Sequence, residues 1–156
     1  MDIAALPFVD EHATVVTAQA DAVWDAVGDA LDGSFTPGYA RLVGCADRAA
    51  SGPRPLAVGS TVPGFRVASA APGRELVLVG RHRFSTYALV FRLDEAGPGR
   101  VRLCAETRAR FPGPAGGLYR LLVVASGAHA VLTGRLLAGI RRRAEQVRSG
   151  TPRRTA

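Results

Sequence analysis

Several features that would assign a function directly are missing from this chain. It contains no lysine, so all 20 of its basic residues are arginines. Its two cysteines, Cys45 and Cys104, form no CxxC pair, and its three histidines lack the spacing of zinc ligands. There is also no GxGxxG fingerprint and no P-loop lysine. We therefore expect reduced, buried thiols, no metal site and no other cofactor.

The charge and hydropathy of the chain restrict its partners. A net charge of +7 would ordinarily suggest nucleic acid or an acidic membrane surface. The abundance of Ala, Gly, Arg and Pro is typical of a GC-rich coding sequence, so nucleic acid is not a favoured partner. The uncharged run at 121–134 is shorter than the roughly 18 residues of a membrane span. No secretory signal precedes the first strand, and the cytoplasm is the expected compartment.

The length of 156 residues and the hydrophobic content of 47% predict one domain with a sizeable core. We place this domain at 1–148 and a disordered basic tail at 149–156. An alternating segment at 8–17 predicts an opening strand, and an apolar stripe that includes Trp24 predicts a helix directly after it. Loops with one short helix are expected at 34–56. An antiparallel meander follows, with strands at 61–69, 74–84, 85–94 and 100–111.

The last third of the sequence predicts one long helix of about 30 residues, roughly 45 Å in length. Pro112 and Gly113 end the preceding strand, and apolar residues then recur at helical spacing with His129 among them. The predicted stripe consists of Leu118, Leu122, Ala125, His129, Leu132, Leu136 and Ile140. A sheet wrapped around this helix would enclose a cavity. Gly127 and two later glycines would allow a kink, close contact with the sheet, or a homodimer through the helix.

This order of elements resembles the START-like (SRPBCC) superfamily of polyketide cyclases, dehydratases and lipid-transfer domains. The stretch VTAQADAVW at 16–24 is similar to the family's opening strand and Val-Trp helix. Further stretches, GRHRFS at 80–85, FPG at 111–113 and GLYR at 117–120, together with His129, resemble an uncharacterised bacterial branch. The resemblance implies an α+β helix-grip fold, in which a curved antiparallel sheet surrounds a long C-terminal helix. It also implies an apolar small molecule between sheet and helix, and only some members are enzymes.

Four polar side chains are candidates for this cavity. His12, His82 and Tyr87 share strand faces with apolar residues, and His129 interrupts the apolar helix stripe. The alternative for each histidine is a core residue whose hydrogen bonds are satisfied by the protein. The predicted lining consists of His12, Trp24, His82, Tyr87, Leu89, Phe91, Leu103, Leu122, Ala125 and His129.

Three functions are compatible with such a cavity. The first is binding of a small hydrophobic, polyketide-like or lipid-like molecule. The second is a cyclase or dehydratase in which His82, Tyr87 or His129 transfers protons. The third is an accessory interaction domain whose core is filled by its own side chains.

Overall fold

The structure is a computed structural model that describes residues 2–148. The tail predicted at 149–156 lies outside the described residues. In chain order the elements are β1 (Phe8–Val16), α1 (Ala20–Ser34), α2 (Pro37–Leu42), β2 (Thr61–Val62), β3 (Phe65–Ala71), β4 (Glu75–His82), β5 (Ser85–Glu95), β6 (Val101–Arg110), α3 (Gly113–Arg120), a π-helical segment (Leu121–Ala125) and α4 (Ala128–Arg148).

The strands form one antiparallel sheet in the order β1-β6-β5-β4-β3-β2. Short turns join β3 through β6, as the sequence predicted. Gly73 and Gly97 adopt positive φ angles of 70° and 107° in two of these turns, a conformation that glycine reaches without steric cost. With the long C-terminal helix against this sheet, the predicted α+β helix-grip fold is confirmed.

The hydrophobic core lies between the inner face of the sheet and two helices, α1 and α4. Helix α1 buries the apolar stripe that its sequence predicted, including Val23 and Val27. Helix α4 adds Leu137 and Ile140 from its middle turns, and these meet sheet residues such as Phe91. Burying an aliphatic or aromatic side chain of this kind contributes roughly 1.5–3 kcal/mol. The core therefore joins the N-terminal and C-terminal helices over one half of the sheet.

The predicted C-terminal helix is not straight, because the chain bends after the π segment, which is the kink that Gly127 allowed. Helices Gly113–Ala125 and Ala128–Val147 meet at an angle of 51°. Gly127 has a φ of +78°, and the Ser126 N–H donates to the Leu121 carbonyl at 3.2 Å, the longer bond of a π turn. The extra residue of the π turn and the bend change the direction in which the first part of the predicted apolar stripe faces. Its members Leu118 and Leu122 are 59% and 65% exposed.

Gly80 provides a test of how closely the sheet packs near the cavity. It lies opposite Tyr87 in the β4–β5 register, and a Cβ on Gly80 would come within 2.3 Å of the Gly64 carbonyl oxygen. We predict that Gly80→Ala lowers the free energy of unfolding by about 1–3 kcal/mol, because the Tyr87 ring and the Gly64 backbone must move apart. Urea denaturation measures this change.

Gly134 is the matched control, since a Cβ at this position of α4 meets no atom within 4 Å. Gly134→Ala is expected to raise the free energy of unfolding by up to about 1 kcal/mol through helix propensity. Equal stability of the two variants would contradict the packing described at Gly80.

Candidate binding cavity

A cavity of about 600 Å³ lies over the half of the sheet that the core leaves uncovered. Leu89 and Ala109 of the adjacent strands β5 and β6 form part of its floor. Val123 and Val124 of the π segment and Leu136 of α4 contribute to its roof. The bend at Gly127 matters here, because the two helical pieces extend over the sheet in different directions. The lining is mostly apolar. Two clusters of polar groups are described below, and Arg135 of α4 adds a charged side chain outside them.

The first cluster is aromatic and lies at the β4–β5 hairpin. His82 and Tyr87 line the cavity from the two strands, and Tyr119 of α3 covers them. The His82 ring centroid is 4.8 Å from that of Tyr119 and 5.3 Å from that of Tyr87. Phe65 of β3 meets Tyr87 edge to face at 5.1 Å. These contacts make one end of the cavity a wall of aromatic rings.

Hydrogen bonds hold the polar atoms of this aromatic cluster. His82 Nδ1 accepts a hydrogen bond from the Phe84 N–H at 3.1 Å, and its Nε2 lies 3.1 Å from Ser85 Oγ. This arrangement assigns the hydrogen of the neutral ring to Nε2. Burial lowers the pKa of His82 from the ordinary value of 6.5, which also favours the neutral ring. Tyr87 donates its hydroxyl hydrogen to the Gly64 carbonyl at 2.7 Å.

The second cluster joins α4 to the edge of the sheet through His129. Its Nε2 lies 3.0 Å from Thr107 Oγ1 and 3.4 Å from Asp10 Oδ1. The other carboxylate oxygen, Asp10 Oδ2, is 3.2 Å from His12 Nε2. Asp10 Oδ1 is buried and accepts no well-formed hydrogen bond from the described residues. One carboxylate therefore lies between two histidines, and His129 is the histidine of this pair that lines the cavity.

A β-bulge positions Asp10. The register of β1 against β6 shifts between Phe8 and Asp10, so the alternation of the strand is interrupted there. As a result Phe8 is 58% exposed, although an uninterrupted strand would place it on the same face as His12. Val9 lines the cavity next to the bulge. Among residues 2–148, no three histidine, cysteine or acidic side chains are placed to hold a metal ion.

Four of the ten predicted lining residues border this cavity, namely His82, Tyr87, Leu89 and His129. His12 contacts Asp10 and does not line the cavity. Leu122 and Ala125 are exposed, because the bend at Gly127 turns them outward.

The other three predicted residues lie where the core helices cover the sheet. Phe91 and Leu103 are fully buried in the core, further along their strands than the cavity floor. Trp24 belongs to a separate groove of about 310 Å³ beside α1, which it shares with residues such as Asp25 and Arg54.

The sequence interpretation did not assign Thr107 or Tyr119 to the cavity. Thr107 shares the buried alternation of Leu103 and Ala105, and a polar residue at such a position was an available signal. The position of Tyr119 depends on the packing of α3 and carries no local signal. Glu106, which the alternation placed on the opposite face, does not line the cavity. Burial tends to raise the pKa of Glu106, but hydrogen bonds from Arg108 and Arg92 outweigh this effect and lower it.

The lowered pKa of His82 predicts a loss of stability in acid. The unfolded chain binds a proton to this histidine more readily than the folded chain, so stability is full above the unfolded pKa of about 6.5 and falls as the pH drops below it. We predict that His82→Gln reduces the loss of unfolding free energy between about pH 7.5 and pH 5.5. Urea titrations at both pH values measure the difference, and an unchanged pH dependence would contradict the assignment.

Comparisons by sequence identify no relative: no protein family matches the chain, and no curated protein does. Solved structures are similar in fold. The Zhui aromatase/cyclase from Streptomyces sp. R1128 has a TM-score of 0.58 at 17% identity, covering 88% of this chain and 93% of that chain. Norcoclaurine synthase from Thalictrum flavum, in complex with dopamine and hydroxybenzaldehyde, has a TM-score of 0.54 at 12% identity, covering 92% and 88%.

A third similar structure is a conserved protein from Geobacillus kaustophilus, with a TM-score of 0.54 at 14% identity and coverage of 87% and 94%. At these identities the likeness establishes the fold and no activity. The similarity extends over nearly the whole described chain in each case. The chain therefore has the helix-grip fold that these structures share.

Proposed function

We propose that this protein binds a small, largely apolar molecule that carries oxygen groups. The observation that supports this function is the cavity of about 600 Å³ between the sheet and the bent C-terminal helices. Its volume falls within the range of roughly 300–1,000 Å³ that is typical of small-molecule sites. The cavity also argues against an accessory domain whose core is filled by its own side chains.

The two polar clusters indicate the chemistry of the ligand. At the aromatic cluster, Tyr119 and Phe65 offer ring faces and edges on which a planar ring can stack. At the other cluster, His129 and Thr107 offer a ring nitrogen and a hydroxyl to a ligand oxygen. An oxygenated aromatic or polyketide-like molecule matches both clusters. The ligands named for the similar norcoclaurine synthase structure, dopamine and hydroxybenzaldehyde, are of this chemical type.

Filling the cavity tests this proposal. Ala109 is buried on the cavity floor, so Ala109→Phe places a ring inside the cavity. We expect this variant to bind the fluorescent apolar probe N-phenyl-1-naphthylamine at least about tenfold more weakly than the wild type, because the probe loses its space. Native mass spectrometry of the purified wild type tests in parallel for a co-purified small molecule.

Ala13→Phe is the matched control for this experiment, since Ala13 is exposed on β1 and does not line the cavity. Thermal denaturation verifies that both variants remain folded. Unchanged probe binding in a folded Ala109→Phe protein, or no probe binding by the wild type, would refute the proposal.

A second candidate function is proton transfer on the bound molecule, and the Asp10 carboxylate beside His129 favours it. His129 Nε2 lies 3.0 Å from Thr107 Oγ1, and in the tautomer that carries its hydrogen on Nε2 the neutral ring keeps a lone pair on Nδ1. Such a ring can remove a proton from the carbon next to a ligand carbonyl, leaving the electron pair on the enolate oxygen. His82 is a poorer base, because the Phe84 N–H and Ser85 engage both of its nitrogens.

This activity predicts that the protein accelerates exchange of the α-protons of an aryl methyl ketone in deuterated water, measured by NMR. We expect His129→Gln to reduce the exchange at least about 100-fold, since a general base contributes at least this factor. Asp10→Asn is expected to reduce the exchange less, while probe binding persists in both variants.

His82→Gln is the control and should leave the exchange within a few fold of the wild type. Exchange by the wild type at the rate of buffer alone would eliminate this second candidate and leave binding as the function.

A further inference from the structure

The C-terminal helices carry an exposed apolar surface at the cavity roof, which we call the hairpin face. Large apolar side chains belong in protein interiors, and clusters of them at a surface indicate a docking site. Each member of the hairpin face is more than half exposed. The members and their exposures are Leu118 59%, Leu121 62%, Leu122 65%, Val131 54% and Leu132 62%.

Local geometry explains why these side chains point outward. In the π segment, Val123 and Val124 line the cavity, so the preceding Leu121 and Leu122 occupy the opposite side. After the bend of 51° near Gly127, Val131 and Leu132 follow on the first turns of α4, and both are exposed. Leu132 belongs to the hairpin face and also lines the cavity, so the face extends to the cavity itself. Whatever covers the hairpin face therefore lies directly next to the cavity.

The charge around the hairpin face has one sign. Between Glu106 and Glu145 the sequence contains seven arginines and no acidic residue, although Arg108 and Arg141 pair with these two glutamates. Arg120 and Arg135 are close to the face in sequence, and Arg135 also borders the cavity. Neither pairs with a carboxylate within residues 2–148. On the outer face of the sheet, by contrast, Arg92 is paired with Glu11 and Glu106. The unpaired guanidinium groups are thus available to an anionic partner.

From this combination we infer that the hairpin face docks on an anionic lipid bilayer. Apolar side chains between cationic ones are the pattern of helices that lie in a membrane interface. A second copy of the chain is a less suitable occupant, because a symmetric contact would bring the unpaired arginines of both copies together. No single helix within residues 2–148 is long and apolar enough to cross a membrane. The contact we propose is with the membrane surface, because the apolar side chains alternate with arginines.

Docking at this face would place the cavity roof against the lipid. If the protein binds an apolar molecule as proposed above, that molecule could then pass between cavity and bilayer beneath the π segment with little exposure to water. This second step rests on the proposed function, whereas the docking itself rests only on the hairpin face and its arginines.

Vesicle flotation tests the docking. The full chain is mixed with vesicles of phosphatidylcholine and phosphatidylglycerol at 7:3, and the bound fraction is measured. We expect the double variant Leu121→Ser/Leu122→Ser to bind at least about tenfold more weakly, because each substitution removes a large apolar side chain from the interface. Val58→Ser is the matched control, since Val58 is also 65% exposed but does not border the cavity.

The electrostatic part is tested with Arg120→Gln, with vesicles of phosphatidylcholine alone, and with raised salt. Each of these changes should give weaker binding than the wild type shows with the anionic vesicles before salt is added. The reason is that all three reduce the attraction to anionic headgroups. Absence of wild-type binding to the anionic vesicles would overturn the inference. Equal binding by the double leucine variant would overturn it as well.

Light scattering after size-exclusion chromatography examines the alternative occupant. A wild-type dimer that becomes a monomer in the double leucine variant would assign the hairpin face to a second copy and overturn the inference. The probe assay without vesicles separates this question from the proposed function, because Leu121 and Leu122 do not line the cavity. If the double leucine variant loses vesicle binding but still binds the probe, docking alone is impaired and the proposed function is unaffected.

Discussion

The packing of α1 against the C-terminal half of α4 determines the rest of this structure. These two helices meet over one half of the sheet, where Val27 of α1 and Ile140 of α4 are fully buried in the same core. The Thr17 N–H also donates to Glu145 at 3.0 Å, which ties the start of α1 to the end of α4. Because this contact fixes the direction of α4, the chain before Gly127 must approach at an angle. The C-terminal helices therefore cover the other half of the sheet but leave a cavity between themselves and the strands.

The polar groups in the cavity follow from this geometry and from the cost of burying them. A buried polar atom without a partner costs roughly 1–3 kcal/mol, and most of those in the two clusters have partners. His82 is held by its own hairpin and is kept neutral by burial. His129 instead faces Thr107 and a carboxylate from β1. Two histidines in one cavity therefore have different chemical environments.

Much of the fold was predictable because it depends on local patterns. Alternation along β6 separates inward Leu103 from outward Arg102, and glycine turns separate the strands. The buried stripe of α1 likewise follows helical spacing. The cavity was harder to predict, because it depends on departures from periodicity. A bulge next to Asp10 and a π turn before Gly127 each insert one residue, and neither is visible in a pattern of apolar spacing.

The contrast between Leu89 and Leu122 illustrates the same limit. Leu89 lines the cavity as predicted, because strand alternation continues without interruption up to it. Leu122 is exposed, since its predicted face assumed a straight helix from Leu118 to Ile140. A glycine can take either sign of φ at little cost, so Gly127 is compatible with a straight helix and with a bend. Only packing against the sheet selects between them.

By itself, the sequence determined the order of the elements, the antiparallel meander, the inward face of most strands and the helix-grip fold. These features arise from interactions between residues that are close in the chain. Tertiary structure alone decided that the C-terminal helix bends, that Asp10 reaches His129, and that leucines of the cavity roof face outward. These features join segments from opposite ends of the chain. The physical reason is that periodicity specifies which residues avoid water, whereas the arrangement of the packed helices specifies what each residue meets.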